Sequence, residues 1–173
     1  MFKKEVITTA DDYREIVRFT NFKRKKATVP IMIAASVLAT VALILGIIGV
    51  IPIIIGIIAA VTFAGVALYF PLSTAVTVKN GIKNGKVSIN AKRTFEYDTA
   101  NLKIYGGRTE TDINALWHTI FAIYETERSF LIYITFEKAF CLCKDQLNGN
   151  EVYKLRNYFM KKLEERYYIM FKR

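Results

Sequence analysis

Charge is missing from the middle of this chain: residues 27–78, 52 consecutive positions, contain no Asp, Glu, Lys or Arg. That absence excludes an ordinary soluble core helix, which seldom exceeds about 20 residues and keeps a polar stripe on one face. Histidine is almost absent as well, with one in 173 residues. This His118 stands beside Trp117 in a strand-like run and reads as a packed or rim residue, without further ligands for a metal. The two cysteines, Cys141 and Cys143, form no CxxC pair. Two residues apart on a strand they share one face, where neighbours seldom meet disulfide geometry, so two buried, reduced thiols are expected. Phosphate-loop and dinucleotide glycine patterns are missing, and Ser129 has no nucleophile-elbow context. Glu125 and Glu127 sit at a hairpin turn and read as solvated charge, too thin a pair for a cation site. No catalytic residue, metal ligand or cofactor is expected, and the chain reads as non-enzymatic.

What is present is concentrated hydrophobicity, 53% overall with a mean hydropathy of +0.23. Crossing about 30 Å of hydrocarbon takes about 20 helical residues. The uncharged run therefore holds two crossings, at residues 29–48 and 53–72, joined by a turn at 49–52 in which Gly49 closes the first helix and Pro52 opens the second. It is too long for a signal peptide and comes after a mixed, charged segment, so it is expected to stay in the mature protein. Lys23, Arg24, Lys25 and Lys26 precede it, and Lys79 and Lys83 come after it. This asymmetry predicts that both termini are cytoplasmic. The net charge of +10 then faces the lipid bilayer and its anionic headgroups, with no nucleic-acid partner required. Gly56, Ala60 and Ala64 recur every four residues in the second crossing and suit close helix packing. Their expected use is within the hairpin, with a homo-oligomer as the secondary reading.

Three segments flank the crossings. Residues 1–28 form an N-terminal strand and an amphipathic helix, where Thr9 and Asp12 resemble a capping box. Residues 73–85 form a membrane-exit segment. Residues 86–173 form a domain of short runs rich in β-branched and aromatic residues: RTFEYD, NLKIYG, RTETDI, LWHTIFAIYET, SFLIYITF and AFCLCK. Their spacing predicts an antiparallel meander, seven strands with the N-terminal one included. Phe130, Ile132, Ile134 and Phe136 are expected on its core face. A closing amphipathic helix comes last, capped by Asn148 or Asn150, with a stripe of Val152, Leu155, Phe159 and Leu163 continuing to Tyr167 and Met170. The tail residues Arg166, Tyr167, Tyr168, Phe171, Lys172 and Arg173 suit a membrane interface, and the same rings suit completion of the helix–sheet core. The fold class expected is an α+β membrane protein.

The chain resembles the YcxB-like bacterial membrane proteins. The resemblance rests on TADDYREIVRFTNFKRKK before the hairpin, LYFP (Leu68 to Pro71) at its end, and the block TETDINALWHTIFAIYETERSFLIYITFEKAFCLCKDQL, with Trp117 opening a strand and FLIYI coming after a turn. It implies a bacterial inner-membrane location and a cytoplasmic β-domain similar to pleckstrin-homology domains, carried on a two-helix transmembrane hairpin. It brings no known activity. The function expected is a membrane-anchored binding or scaffold module with an unknown protein partner or lipid headgroups as ligand. The alternative is a small oligomeric transport or channel component acting through the Gly56–Ala60–Ala64 face.

Overall fold

Strands β1 (Phe2–Ile7) and β2 (Lys92–Tyr97) lie on opposite sides of the apolar run in sequence. They nevertheless pair antiparallel over six positions, from Phe2 opposite Tyr97 to Ile7 opposite Lys92. The computed structural model describes residues 2–25, 27–84, 89–107 and 112–171. It divides into two units, one made of the residues up to Ile16 together with those from Gly81 onward, the other of Val17–Asn80. The apolar hairpin is thus an insertion into the first unit. Residues 86–173 are not that unit by themselves, because its edge strand β1 comes from the start of the chain.

The first unit carries two sheets. Sheet A has the order β1–β2–β3–β4, all antiparallel, with β3 at Asn101–Tyr105 and β4 at Ile113–Leu116. Sheet B has the order β7–β6–β5–β8, where β5 is Ala122–Glu125, β6 Ser129–Tyr133, β7 Ala139–Cys143 and β8 Tyr167–Ile169. The β5–β8 pair is parallel and the other two are antiparallel. Alternation builds the core: Leu102 and Ile104 are buried in β3 while Asn101, Lys103 and Tyr105 are only half-buried. These two join Phe95, Trp117, Ile123, Phe130, Ile132 and Leu142 in one cluster, closed by Leu155, Phe159 and Leu163. The last three form the stripe of the closing helix.

Helix α1 (Ala10–Arg18) opens on the expected box, with the Thr9 amide donating to Asp12 Oδ2 at 2.7 Å and the Asp12 amide to Thr9 Oγ1 at 3.2 Å. In the second unit one π-helical turn (Phe19–Arg24) leads to α2 (Thr28–Ile47), and α3 runs from Ile53 to Lys83. Both α2 and α3 are long and apolar enough to cross a membrane. The turn between them agrees with the sequence: Gly49 takes φ +75°, which glycine adopts without strain, and the Pro52 carbonyl accepts the first bonds of α3 from Ile55 and Gly56. Pro71, near the end of the second crossing, does not interrupt α3. It lies inside the helix, and the hydroxyls of Ser73 and Thr74 both donate to the Phe70 carbonyl beside it.

Three further expectations change, and a fourth falls partly outside the described residues. Trp117 does not open a strand: Trp117–Thr119 form a 3-10 turn that separates β4 from β5, and His118 sits exposed in it. The RTETDI run falls on residues of which 108–111 lie outside the described set, and the strand seen nearby is Ile113–Leu116. Strand β6 stops at Tyr133, so Phe136 is 57% exposed and Ile134 only partly buried, while Phe130 and Ile132 take the core face as expected. The closing helix α4 (Gly149–Leu163) starts with a complete capping box between Asn148 and Glu151 but does not continue to Tyr167. It stops because Glu164 takes φ +47°, and the residues beyond pair with β5 as β8. A glycine fits that backbone better. Glu164→Gly is expected to stabilise the chain by about 1 kcal/mol, visible as a higher midpoint in thermal denaturation, whereas a lower midpoint would contradict strain at this residue.

Candidate functional site

The chemically richest region is built around a carboxylate whose place at a turn reads, in sequence, as solvated. Glu125 ends β5, and its side chain is fully buried. Arg156, on α4, approaches it in forked geometry, with Nε 2.9 Å from Oε2 and Nη2 bonded to Oε1. Lys144, in the 3-10 turn after β7, places Nζ 2.8 Å from Oε1 and also donates to the Thr126 carbonyl. Tyr167, on β8, donates its hydroxyl to Oε2. Burial alone raises the pKa of Glu125, but the bonds from Arg156, Lys144 and Tyr167 outweigh it and hold the carboxyl below its ordinary value. Burial, then the neighbouring Glu125 carboxylate, pushes the Tyr167 hydroxyl far up, and the bond to Glu125 raises Arg156. The arrangement is two cations sharing one buried anion, with the Phe171 ring 4.6 Å from Lys144 Nζ. The charged groups Glu125, Arg156 and Lys144 are engaged with one another within the domain. Their arrangement fixes α4, the β7 exit turn and the C-terminal strand to one point on β5.

A second polar cluster adjoins it through Thr126. Glu15, on α1, accepts from Thr126 Oγ1 and from Ser129 Oγ, each at 2.7 Å. Ser129 is fully buried. Thr126 therefore gives its hydroxyl to α1 and its carbonyl to Lys144. The helix that precedes the hairpin is tied in this way to the same β5–β6 turn that carries Glu125.

Strand edges are managed unevenly. At the end of β1 the Gln146 carboxamide takes the place of a neighbouring strand: its Oε1 accepts from the Ile7 amide at 2.7 Å, and its Nε2 donates to the Ile7 carbonyl at 2.9 Å. Lys4 pairs with Glu151 of the α4 capping box at 3.0 Å. On sheet B the β5 edge is covered only by three-residue β8. Tyr168 stacks on Tyr124 there at 4.9 Å, and the Met170 amide donates to the Glu125 carbonyl at 2.9 Å.

Of the basic residues flanking the hairpin, Lys23, Lys25, Lys79 and Lys83 are exposed, Arg24 is half-buried, and Lys26 lies outside the described residues. Gly56 and Ala60 are buried and Ala64 half-buried; a Cβ on Gly56 would stand 2.9 Å from the Ala42 carbonyl oxygen and 3.1 Å from the Gly46 Cα. The helix contact of the hairpin thus uses Ala42 and Gly46 of α2. In the tail, Arg166 donates to the carbonyls of Ile120 at 2.7 Å and His118 at 2.9 Å, Tyr167 reaches Glu125, and Phe171 covers Lys144. Tyr168 is exposed, and Lys172 and Arg173 lie outside the described residues. The chain matches no family model, no curated protein and no solved structure.

Cys141 and Cys143 are both buried and free. Burial first, and next the nearby Asp12 carboxylate, pushes the Cys141 thiol well up; burial also raises Cys143. Thiolate is the reactive form. Both thiols are therefore expected to resist iodoacetamide at pH 8 in the native chain and to react fully once it is unfolded. Rapid native labelling of Cys141 would contradict this burial.

Proposed function

We propose that the chain is a non-enzymatic, membrane-anchored binding module. The apolar hairpin crosses the bacterial inner membrane twice, and a pleckstrin-homology-like domain stands at the cytoplasmic surface, where it binds a segment of a partner protein. The observation that carries the reading is the β1–β2 pairing across the inserted hairpin. A chain that leaves a folded unit, passes through two spanning helices and returns to the same sheet keeps that unit on one side of the bilayer. Exposure supports the spanning reading: Ile33, Val37, Ile44, Ile47, Ile54 and Val61 are each more than half exposed, which only an apolar surround makes favourable. The order of four strands, three strands and a closing helix supports the pleckstrin-homology likeness, with β8 as an addition. Lys79 and Lys83, exposed at the end of α3, suit anionic headgroups.

The oligomeric transport reading draws less support, because Gly56 is taken up against Ala42 and Gly46 of the same chain. The test uses the full chain in native bacterial membranes, since β1 is needed for the domain. A photoreactive residue is placed in turn at the exposed positions Leu116, Phe136, Tyr153 and Tyr168. The chain is expected to stay in the membrane pellet after alkaline carbonate washing and to give a discrete protein adduct from at least one position. Release by carbonate would remove the anchor, and the absence of adducts from all four positions would remove the binding role.

A further inference from the structure

The place that β8 occupies does not depend on β8 for its charge balance. Glu125 keeps Arg156 from α4 and Lys144 from the turn after β7, and neither belongs to the strand. From β8 the carboxylate receives only the Tyr167 hydroxyl. If the strand left, the buried anion would remain paired with two cations, so the seat would persist with one acceptor position open. The strand itself is three residues long, and it comes soon after a residue, Glu164, held at φ +47°. Strain at a non-glycine hinge favours release of the segment beyond it. Tyr168 is 43% exposed although it stacks on Tyr124. By contrast the β1 edge is blocked at Ile7 by Gln146.

We propose that β8 is a resident strand that a partner segment replaces. The β5 edge takes an extended peptide running parallel to β5, with a tyrosine whose hydroxyl reaches Glu125 and an adjacent aromatic residue that stacks on Tyr124. This rests on the binding-module reading and names its partner class. Main-chain bonds along the edge supply affinity, and the two aromatic positions supply selectivity. A peptide with phenylalanine in place of the inward tyrosine leaves Glu125 without that donor, and a hydrogen bond to a charged group corresponds to roughly a tenfold to hundredfold change in affinity.

The test uses the full chain in detergent micelles and two fluorescent peptides, RYYIMF, which copies residues 166–171, and RFYIMF. One variant carries Tyr167→Phe with Tyr168→Ala; a second carries Tyr168→Ala alone, at an exposed position where folding is little affected. Circular dichroism confirms the fold of each. RYYIMF is expected to bind the double variant roughly tenfold to hundredfold more tightly than the unmodified chain, with Tyr168→Ala between them, and RFYIMF to bind each variant at least about tenfold more weakly than RYYIMF. Equal binding by variant and unmodified chain, no binding by either folded variant, or equal binding of the two peptides would each overturn strand replacement. A partner adduct formed in membranes while these peptides fail would leave the anchored module standing and remove only this mode of recognition.

Discussion

Glu125→Ala is expected to lower the stability of the chain by about 3–5 kcal/mol, the usual consequence of breaking a buried ion pair by removing one member. The carboxylate is fully buried, and Lys144 and Arg156 carry side chains only 12% and 21% exposed. Without the anion the two cations face each other across the site, and Tyr167 loses its acceptor. Chemical denaturation of the detergent-solubilised chain measures the change, and a loss below about 1 kcal/mol would place the cluster among exposed pairs of little weight. The same carboxylate carries a pH signature. Its folded pKa lies below the ordinary 4.5, so its stabilisation is present above pH 4.5 and is lost as pH falls through the lower folded value. Glu151 and Asp98 are depressed as well, Glu151 first by the Asn148 amide and Asp98 first by the Asn101 amide. Glu125→Gln is therefore expected to be less acid-sensitive than the unmodified chain but still acid-sensitive.

Gly56→Leu is expected to open the hairpin. The new Cβ would fall 2.9 Å from the Ala42 carbonyl oxygen and 3.1 Å from the Gly46 Cα, and backbone atoms cannot turn aside as a side chain does. The helices must separate, which removes the close contact that small residues provide in lipid. Overpacking of this kind costs about 1–3 kcal/mol. Gly65→Leu supplies the control, because nothing lies within 4 Å of a Cβ at that position. In an SDS titration of the chain in mild detergent, Gly56→Leu shifts unfolding to lower SDS while Gly65→Leu leaves it unchanged. Equal shifts would show that the two helices do not pack through Gly56.

Where a signal is local, the sequence carries it. Thr9 with Asp12 and Gly49 with Pro52 are short-range devices, and each appears in the structure where its spacing puts it; of the two candidate caps, Asn148 and Asn150, the structure uses Asn148. The long-range features are different. Glu125 finds its partners 19, 31 and 42 residues away, so beside Glu127 at a turn it carries no mark of burial. Glu127 is exposed, as expected. Strand β8 is hidden by a coincidence of period: Tyr167 falls four residues after Leu163 and prolongs the apolar stripe of α4. The break lies in the backbone of Glu164, and no glycine or proline announces it. Strand β6 reads too long because Ile134 and Phe136 keep the alternation, although the chain bends after Tyr133, with the Ile134 amide bonded to the Lys138 carbonyl. Pro71 shows the opposite case, a residue that disfavours helix and yet lies inside α3, which stays helical to Lys83.

The proposed topology is a domain on one side of a membrane, interrupted by a hairpin that crosses it twice. Its most direct measurement is cysteine accessibility in intact cells with a membrane-impermeant maleimide, with the native Cys141 and Cys143 buried and silent. Val50→Cys lies in the turn between α2 and α3, 65% exposed, and Lys161→Cys on the exposed face of α4. Val50→Cys is expected to be labelled from outside, and Lys161→Cys only after the membrane is permeabilised. Labelling of both only after permeabilisation, or of both from outside, would contradict this topology.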